Sequence, residues 1–263
     1  MSTNYLQFYE RHTWRAGLRF SWDSLFSKTP TQREGFGNRR IDYAAIEGSD
    51  SLMNLHLELN QVLVDQAADW LSHDYGEGYF YQGFADVSVS GLRDTAARVT
   101  ALHMLDRVRG RSVLDIGSNS GFVSIALAET AESVDGVESN PYLNKMGRLV
   151  ADHLGRSNVK FTDGDFENFE PGRKFDVVAS FANHSTFDGN TKHTLEEYFD
   201  KCRRLLESDG IFLFESHAPA YEGEALNSVV RLIEERFNIV EKTMLETGKR
   251  FDDGRTLLVA NPK

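Results

Sequence analysis

The sequence predicts an α/β protein in which a seven-stranded mixed sheet, its last strand antiparallel, carries helices on both faces and follows a mostly helical cap. From residue 111 to residue 236, strand-like apolar runs alternate with helix-like segments, which is typical of a parallel sheet. The last two strand-like segments, 237–246 and 256–260, have no helix between them, which indicates a hairpin at the sheet edge. Before residue 90, a helical periodicity over 51–73 indicates the cap.

Length and composition bound the class of protein. The 263 residues allow one large domain or a medium domain with a cap, and the 40% hydrophobic content supplies a core. We place the boundary after residue 90, with a cap, lid or substrate-side segment over 1–90 and the ligand-binding domain over 91–263. The net charge of −11 disfavours a broad nucleic-acid surface but leaves room for a local basic patch.

The cysteine count and the hydropathy pattern disfavour a disulfide-bonded, cysteine-metal, secreted or membrane-spanning protein. The single cysteine, Cys202, rules out an internal disulfide and a cysteine metal cluster, and its place on the apolar face of a predicted helix indicates a core thiol. No basic-then-apolar signal opens the sequence, and no apolar run reaches about 18 residues. We therefore expect a cytoplasmic protein without a membrane span, and the sequence leaves its oligomeric state open.

The first fifty residues combine aromatic and arginine side chains without a regular pattern, so we predict irregular structure there. The aromatic residues are Tyr5, Phe8, Tyr9, Trp14, Phe20, Trp22, Phe26, Phe36 and Tyr43, and the arginines are Arg11, Arg15, Arg19, Arg33, Arg39 and Arg40. One interpretation is a segment wrapped over its neighbour, with the aromatics buried and the arginines solvated. The other is a lid, in which aromatics stack on a ring of the substrate and arginines clamp an anion.

The later elements are predicted from spacing and from turn residues. Helices are expected over 51–73 and from Asp94 or Thr95, the candidate N-caps, to about Arg109. Strands are predicted at 111–116, 133–138, 159–162, 175–181, 211–214, 237–246 and 256–260, and helices at about 120–130, from Pro141, at about 191–207 and at about 223–236. Asp209 and Gly210 are predicted to turn into the fifth strand.

Polar side chains follow five of the predicted strands, at the edge where parallel sheets bind ligands. In strand order they are Asp115 with the turn Gly117–Gly121, Glu138, Asp163 with Asp165 and Phe166, Phe181 with His184, and Glu215 with His217. Taken singly, Asp163 and Asp165 are ordinary turn residues. Taken together, polar groups on successive strand ends favour one ligand site.

The turn after the first strand indicates the kind of ligand. It lacks the G-x-G-x-x-G spacing of a pyrophosphate-binding turn, and Asp115 before it suits a cationic centre better than a phosphate. Glu138 lies 23 positions after Asp115, close to where a carboxylate accepts the hydroxyls of a ribose in dinucleotide sites.

Residues 111–260 resemble the class I S-adenosylmethionine-dependent methyltransferase family, whose fold is Rossmann-like. The first motif of that family, D-x-G-x-G-x-G, is matched from Asp115 to Gly121 except at Asn119, and asparagine tolerates a positive φ. The resemblance implies that S-adenosyl-L-methionine is the cofactor. It assigns the methionine part to Asp115, Gly117, Ser118, Asn119 and Gly121, the ribose to Glu138, the adenine to Asp165 and Phe166, and a place beside the cofactor to Phe181.

The resemblance also implies a contact between the helix before the first strand and the methionine carboxylate. Arg93 is the candidate, with Tyr79 or Tyr81 nearby. The alternative for Arg93 is a surface arginine that caps nothing.

Two histidines are the candidate catalytic residues. His184, three positions past Phe181, is suited to take a proton from an acceptor hydroxyl near neutral pH. The alternative is a loop histidine bonded to a backbone carbonyl. His217 is the second candidate, with Glu215 as its orienter or as a metal ligand, and Asp188 and His193 are weaker ones. No metal site is assigned, because the spacing of these residues does not show that they converge.

Two further features bear on the acceptor. The loop 247–255 carries Lys249, Arg250 and Arg255, which meet an acidic group of the substrate in one interpretation and lie in solvent in the default one. The fourth strand does not end in the Asn/Asp-Pro-Pro-Tyr pattern of many methyltransferases that act on exocyclic amines of nucleic-acid bases. The sequence therefore disfavours methylation of a base.

These observations predict a methyltransferase acting on a small polar metabolite, a sugar or a glycan end, by O-methylation. The partner is then a small molecule or glycan, and nucleic acid is disfavoured. One alternative is an enzyme that modifies tRNA or another RNA through the N-terminal arginines. Another is a non-catalytic protein that binds S-adenosylmethionine.

Overall fold

The computed structural model describes residues 29–70, 74–183, 192–217 and 222–263. His184, Asp188 and the aromatic and arginine residues before position 29 lie outside the described residues. The predictions made for them therefore stay predictions.

A seven-stranded sheet forms the centre of the molecule. Two short strands, β1 (Gln82–Gly83) and β2 (Arg93–Asp94), precede it, and its own strands are β3 (Ser112–Ile116), β4 (Ser133–Glu138), β5 (Val159–Asp163), β6 (Phe175–Phe181), β7 (Leu206–Glu215), β8 (Phe237–Leu245) and β9 (Arg255–Pro262). They lie side by side in the order β5-β4-β3-β6-β7-β9-β8. All neighbours are parallel except those of β9, which runs antiparallel to both β7 and β8. This arrangement confirms the predicted mixed sheet with a reversed last strand.

Helices cover both faces of this sheet. They are α1 (Pro30–Ile46), α2 (Asp50–Asp69), α3 (Thr95–Ala101), α4 (Met104–Arg107), α5 (Phe122–Leu127), α6 (Pro141–His153), α7 (Leu195–Leu205) and α8 (Gly223–Arg236). One face of the sheet, with Val113 and Val177, packs against α2 to α6, and the other, with Leu114 and Val178, packs against α7 and α8. The alternation along each strand therefore builds two apolar layers.

The cap and the sheet share one core. Leu59 of α2 is fully buried in the same cluster as Val113 of β3. A short parallel pair, β1 (Gln82–Gly83) with β2 (Arg93–Asp94), crosses the predicted boundary at residue 90. The domain boundary at residue 90 stays a prediction. Residues on both sides of it pack into the same core.

Three local predictions differ from the structure. Residues 30–46 form α1 and are not irregular, because Thr29 caps the helix and Pro30 occupies its first turn. The helix after Asp94 ends early, since His103 adopts a left-handed φ of 48° that separates α3 from α4. Strand β7 begins at Leu206, and the predicted turn at Asp209 lies within an irregularity of its pairing with β6.

Asp94 is confirmed as an N-cap, since its carboxylate accepts a hydrogen bond of 2.9 Å from the amide of Ala97. No helix in the described part of the chain combines the length and the apolar character that crossing a membrane requires.

Candidate active site

The turn after β3 has the backbone geometry that a close ligand requires. Gly117 and Gly121 have φ values of +65° and +74°, and Asn119 adopts +55°. A Cβ at Gly117 would lie 2.5 Å from Asn183 Nδ2, and one at Gly121 would lie 2.4 Å from the Phe161 ring. Both glycines are therefore required by space as well as by conformation. Asn119, the departure from the motif, takes the left-handed conformation that the motif places there.

Asp115 is buried directly beneath this turn. Its side chain is 2% exposed and accepts a hydrogen bond of 2.5 Å from Ser124 Oγ. Burial raises the pKa of Asp115 to about 6, against the opposing effects of the Ser124 hydrogen bond and the Arg98 charge. Burial makes the ionised form of Asp115 unfavourable, and a cation bound nearby would stabilise that form.

Glu138 ties the turn to the next helix. One carboxylate oxygen accepts from the amide of Asn119 at 3.1 Å, and the other accepts from the amide of Asn140 at 2.9 Å and from Ser139 Oγ at 3.2 Å. Burial raises the pKa of Glu138, although these hydrogen bonds oppose the rise. The oxygen that faces Asn119 keeps a second lone pair, which is the acceptor that a ribose hydroxyl needs.

The predicted adenine contacts lie at the end of β5. Asp165 and Phe166 are half-buried, and Phe166 starts a 3₁₀ turn. The Phe166 ring meets the Tyr198 ring edge-on, with centroids 5.3 Å apart, and Lys201 Nζ lies 5.1 Å from its centroid. Two side chains of α7 therefore fix this ring.

The end of β6 bends back over the turn. Ala182 has a φ of +59°, which is uncommon for a residue with a Cβ. It directs Asn183 toward β3, where Asn183 Nδ2 donates to the carbonyl of Ile116. Phe181, before this bend, is 6% exposed and lies beneath the Arg98 guanidinium, 5.4 Å from the ring centroid.

A buried cluster of five charged side chains stands beside the end of β7. Glu215 accepts from Arg93 Nη2 at 2.6 Å, from Arg98 Nε at 3.0 Å and from Arg255 Nη1 at 3.1 Å. Arg93 Nε also donates to Asp252 at 2.8 Å. Burial opposes the ionisation of Glu215, but the three arginines outweigh it and lower the pKa of the carboxyl to about 2.

This cluster changes the interpretation of Arg93 and Glu215. Arg93 is 2% exposed and pairs with protein carboxylates, so it is not the surface arginine of the alternative reading. Its predicted contact with the cofactor stays a prediction. Glu215, encircled by three cations, does not suit a divalent metal ion, and no group of three metal-binding side chains converges anywhere in the described ranges.

Two buried donors near this cluster have no hydrogen-bond partner among the described residues. They are Arg98 Nη1 and Thr95 Oγ1, and they lie three residues apart on one helix, α3. Positions i and i+3 share a helix face, so Thr95 and Arg98 lie on the same side of α3. With three guanidiniums against two carboxylates, the cluster carries one positive charge in excess.

A cavity separates the cap from the turn. It is narrow, with a volume of about 10 Å³, which holds about one water molecule. Its lining includes Gln66, Asp74, Tyr75, Tyr81, Asn119 and Met146. The buried Asp74 Oδ1 has no hydrogen-bond partner within the described part of the chain, and burial raises the pKa of Asp74 against the hydrogen bond from Gly78. The cavity therefore combines aromatic walls with one unsatisfied acceptor.

The remaining predicted residues are placed as follows. His217 lies two residues beyond β7 and is half-buried. His193 Nε2 lies 3.6 Å from Glu167 Oε1, near the start of α7. The default interpretation, a solvated loop 247–255, holds for only part of it: Arg250 is exposed and donates to Thr31. Arg255 is buried against Glu215, and the half-buried Lys249 donates its Nζ to the carbonyl of Ser90 at 3.2 Å.

Sequence reasoning missed Asn183, Tyr198, Arg98 and Asp252. Asn183 was visible as a polar residue at a strand end, directly before His184. Asp252 is fully buried, and nothing in its glycine-rich surroundings distinguishes it from a solvated loop residue. Its partner Arg93 lies 159 residues earlier in the chain.

With this geometry in place, comparison with known proteins identifies the family. A methyltransferase domain family matches residues 108–251, more than half of the chain. The chain belongs to this family. The match confirms the predicted class I S-adenosylmethionine-dependent methyltransferase fold, and with it the cofactor type.

Three individual proteins illustrate the likeness. The chain is 31% identical over 126 residues to ribosomal RNA small subunit methyltransferase G of Nitrosomonas eutropha, covering 44% of this chain and 58% of that protein. It is 29% identical over 140 residues to malonyl-[acyl-carrier protein] O-methyltransferase of Geobacter sulfurreducens, covering 51% and 50%. Its fold is similar to that of the N-methyltransferase NodS from Bradyrhizobium japonicum in complex with S-adenosyl-L-homocysteine, with a TM-score of 0.52, 17% identity and coverage of 78% and 99%.

The chain spans about half the length of the curated relatives it matches. The shared part is the domain that carries the motif turn. The residues before position 108 fall outside the family match.

Proposed function

We propose that this chain transfers the methyl group of S-adenosylmethionine to a hydroxyl of a small polar molecule that enters between the cap and the motif turn. The observation that carries the proposal is the glycine turn above the buried carboxylate of Asp115. When bound, S-adenosylmethionine supplies a methyl group on a sulfonium, which a nucleophile displaces in line with the sulfur.

The binding of the cofactor is divided among three strand ends. Asp115 supplies a negative charge in a site of low polarity, Glu138 keeps an acceptor for the ribose, and Phe166 offers an aromatic edge for the adenine. The glycines of the turn let the backbone approach the ligand. At these three strand ends the charged groups are carboxylates, which suit the cationic sulfonium of S-adenosylmethionine better than a pyrophosphate.

The methionine carboxylate has a matching partner in α3. We propose that Arg98 Nη1 and Thr95 Oγ1 bind it, because both are buried donors without a partner among the described residues. Arg93, the arginine singled out in the sequence, already donates to Glu215 and Asp252. In this proposal Arg93 stabilises the buried charged cluster, and Arg98 binds the carboxylate of the ligand.

The acceptor side is supported by the cavity between the cap and the turn. Among the described residues no donor reaches Asp74 Oδ1, and tyrosines line the cavity, so this lining suits a hydroxyl or ammonium group beside a ring or apolar edge. The cavity of about 10 Å³ holds about one water, so an acceptor molecule enters only when the cap and the turn move apart. A phosphate-rich ligand would meet the Asp74 carboxylate unfavourably. This favours a small acceptor over a nucleic acid.

Removal of the hydroxyl proton is assigned to a histidine. In the sequence His184 directly follows Asn183, and His217 comes two residues after β7; the carboxyl ends of parallel strands are where ligands bind in such sheets, which supports the choice of these two residues. His184 remains the first candidate base, and His217 the second. Replacement of each with alanine, followed by measurement of turnover, separates the two.

A second candidate function is methylation of ribosomal RNA, since several relatives are named for that reaction. The net charge of −11 opposes it. Binding to a tRNA or ribosomal RNA mixture that weakens steeply with salt would favour the RNA reaction. Absence of binding at low salt would remove it.

The experiment that tests the proposal has two stages. Titration calorimetry with S-adenosyl-L-homocysteine asks whether the site binds the cofactor type, and no heat of binding would refute the proposal. A screen of fractionated metabolites with methyl-labelled S-adenosylmethionine, with and without a chelator, then identifies the acceptor. Binding without any labelled product would support the non-catalytic alternative.

A further inference from the structure

Tyr198 stands between two parts of the candidate cofactor site that are distant in the chain. It lies on α7 and is 7% exposed. Its ring packs against Phe166 at the end of β5, and its hydroxyl reaches Ser180 and Asn183 at the end of β6. The two strands are separated in the sheet by β4 and β3, so this single side chain connects opposite sides of the site.

The hydroxyl takes part in a closed triangle of polar atoms. Tyr198 Oη lies 2.6 Å from Asn183 Oδ1 and 2.7 Å from Ser180 Oγ, and Ser180 Oγ donates to the same Asn183 oxygen at 2.9 Å. Burial raises the pKa of Tyr198 well above its ordinary value, so the phenol keeps its proton and remains a donor.

The triangle fixes which way the Asn183 amide faces. The carbonyl of Ile116 can only accept a hydrogen bond, so the amide must present Nδ2 to it and Oδ1 to the two hydroxyls. Asn183 Nδ2 therefore lies directly over Gly117, where a Cβ would be 2.5 Å away. The left-handed backbone at Ala182 keeps the side chain in that place.

We infer that Tyr198 is a positioning residue that aligns the two ends of the cofactor site through two separable contacts. Its ring holds Phe166 for the adenine, and its hydroxyl holds the Asn183 amide over the turn that receives the methionine part. The inference rests on the proposed function, because it takes S-adenosylmethionine as the ligand.

Two probes of different length separate these contacts. Adenosine reaches only the adenine and ribose end, whereas S-adenosyl-L-homocysteine also occupies the methionine end. Tyr198→Phe keeps the ring and removes the hydroxyl. We expect the Kd of S-adenosyl-L-homocysteine to rise about five- to tenfold, as the loss of one buried hydrogen bond allows, and the Kd of adenosine to change less than about twofold.

Phe166→Leu is the matched control. It should weaken both probes by the same factor, since both contain adenine. Ser180→Ala, which removes the other hydroxyl of the triangle, should reproduce the selective loss in a smaller degree. This variant keeps the inference testable if Tyr198→Phe does not fold.

A double-mutant cycle tests whether Tyr198 acts through Asn183. In an Asn183→Ala background, Tyr198→Phe should no longer change the Kd of S-adenosyl-L-homocysteine. The inference is overturned if Tyr198→Phe weakens both probes equally, weakens neither, or has the same effect in both backgrounds. If the unmodified protein binds neither probe, the proposed function itself fails, and that result is distinct from the others.

Discussion

The two halves of the sheet edge use buried carboxylates in opposite ways. At the ends of β3 and β4, Asp115 and Glu138 accept hydrogen bonds from hydroxyls and backbone amides, and burial raises the pKa of both. At the end of β7, Glu215 is surrounded by three arginines and its pKa falls to about 2. Asp115 and Glu138 therefore keep a negative charge that a ligand cation can neutralise, whereas the charge of Glu215 is already neutralised by arginines of the protein.

The comparison distinguishes a binding role from a structural one. A carboxylate that pairs with neutral donors gains from the arrival of a cation, so its removal should affect binding more than folding. A carboxylate that balances three buried cations should affect folding first, because its removal leaves those cations unpaired.

The largest effect is expected at Glu215. Glu215→Gln leaves Arg93, Arg98 and Arg255 with a neutral neighbour, and we expect the free energy of unfolding to fall by about 3–5 kcal/mol. Urea denaturation followed by circular dichroism measures the loss. Glu224→Gln, which breaks the exposed pair with Arg231, is the control and should leave the unfolding transition nearly unchanged. An unchanged midpoint for Glu215→Gln would show that the cluster is not what holds β7 to Arg93 and α3.

A smaller effect on stability but a large one on binding is expected at Asp115. Asp115→Asn removes the charge and keeps an oxygen for Ser124, so the protein should unfold at the same denaturant concentration or a higher one. The affinity for S-adenosylmethionine should fall by about tenfold or more, since the variant lacks the buried negative charge. Asp135→Asn, at an outer salt bridge of β4, should bind normally. Equal binding by both variants would contradict the role of Asp115.

The pH dependence of binding is a second test of the role of the Asp115 charge. A cation bound near Asp115 favours the ionised carboxyl, so affinity for S-adenosylmethionine should rise as the pH increases from 5 to 7, through the pKa of about 6. Below that pKa the loss approaches tenfold for each pH unit at most. Calorimetry at pH 5, 6 and 7 measures the slope. The slope should disappear in Asp115→Asn, and a slope that survives there would assign the titration to another group.

The smallest effect is expected at Thr95. Thr95→Val replaces a buried hydroxyl that lacks a partner in the described residues, so stability should stay level or rise slightly. The affinity for S-adenosylmethionine should fall about threefold, because one donor to the methionine carboxylate is lost. Unaltered affinity, measured beside unaltered stability, would remove Thr95 from the site.

The same contrast explains how much the sequence could predict. The individual strands, the hairpin at the end of the chain and the turn from Asp115 to Gly121 have signals within short stretches of sequence, so periodicity, the alternation of strands with helices and a short motif were sufficient to predict them. The arginine cluster joins β2 and α3 to β7 and the β8–β9 loop across more than 100 residues, and no local pattern marks it. Asp252 therefore read as a solvated loop residue.

Helix α1 was missed for a related reason. Gly35 and Gly37 weaken its helical pattern, and glycine is a poor helix former. In the structure Gly35 packs against Tyr79, where a Cβ would lie 2.8 Å from the Tyr79 Cβ. Gly35 therefore obscures the helix in the sequence and at the same time lets α1 pack against Tyr79.

The most direct test of the central claim is a transfer assay with methyl-labelled S-adenosylmethionine and a cell extract divided into small molecules and RNA. The proposed function predicts label in the small-molecule fraction with the unmodified protein and a large reduction with Asp115→Asn. Label confined to the RNA fraction, or an unchanged yield from Asp115→Asn, would contradict it.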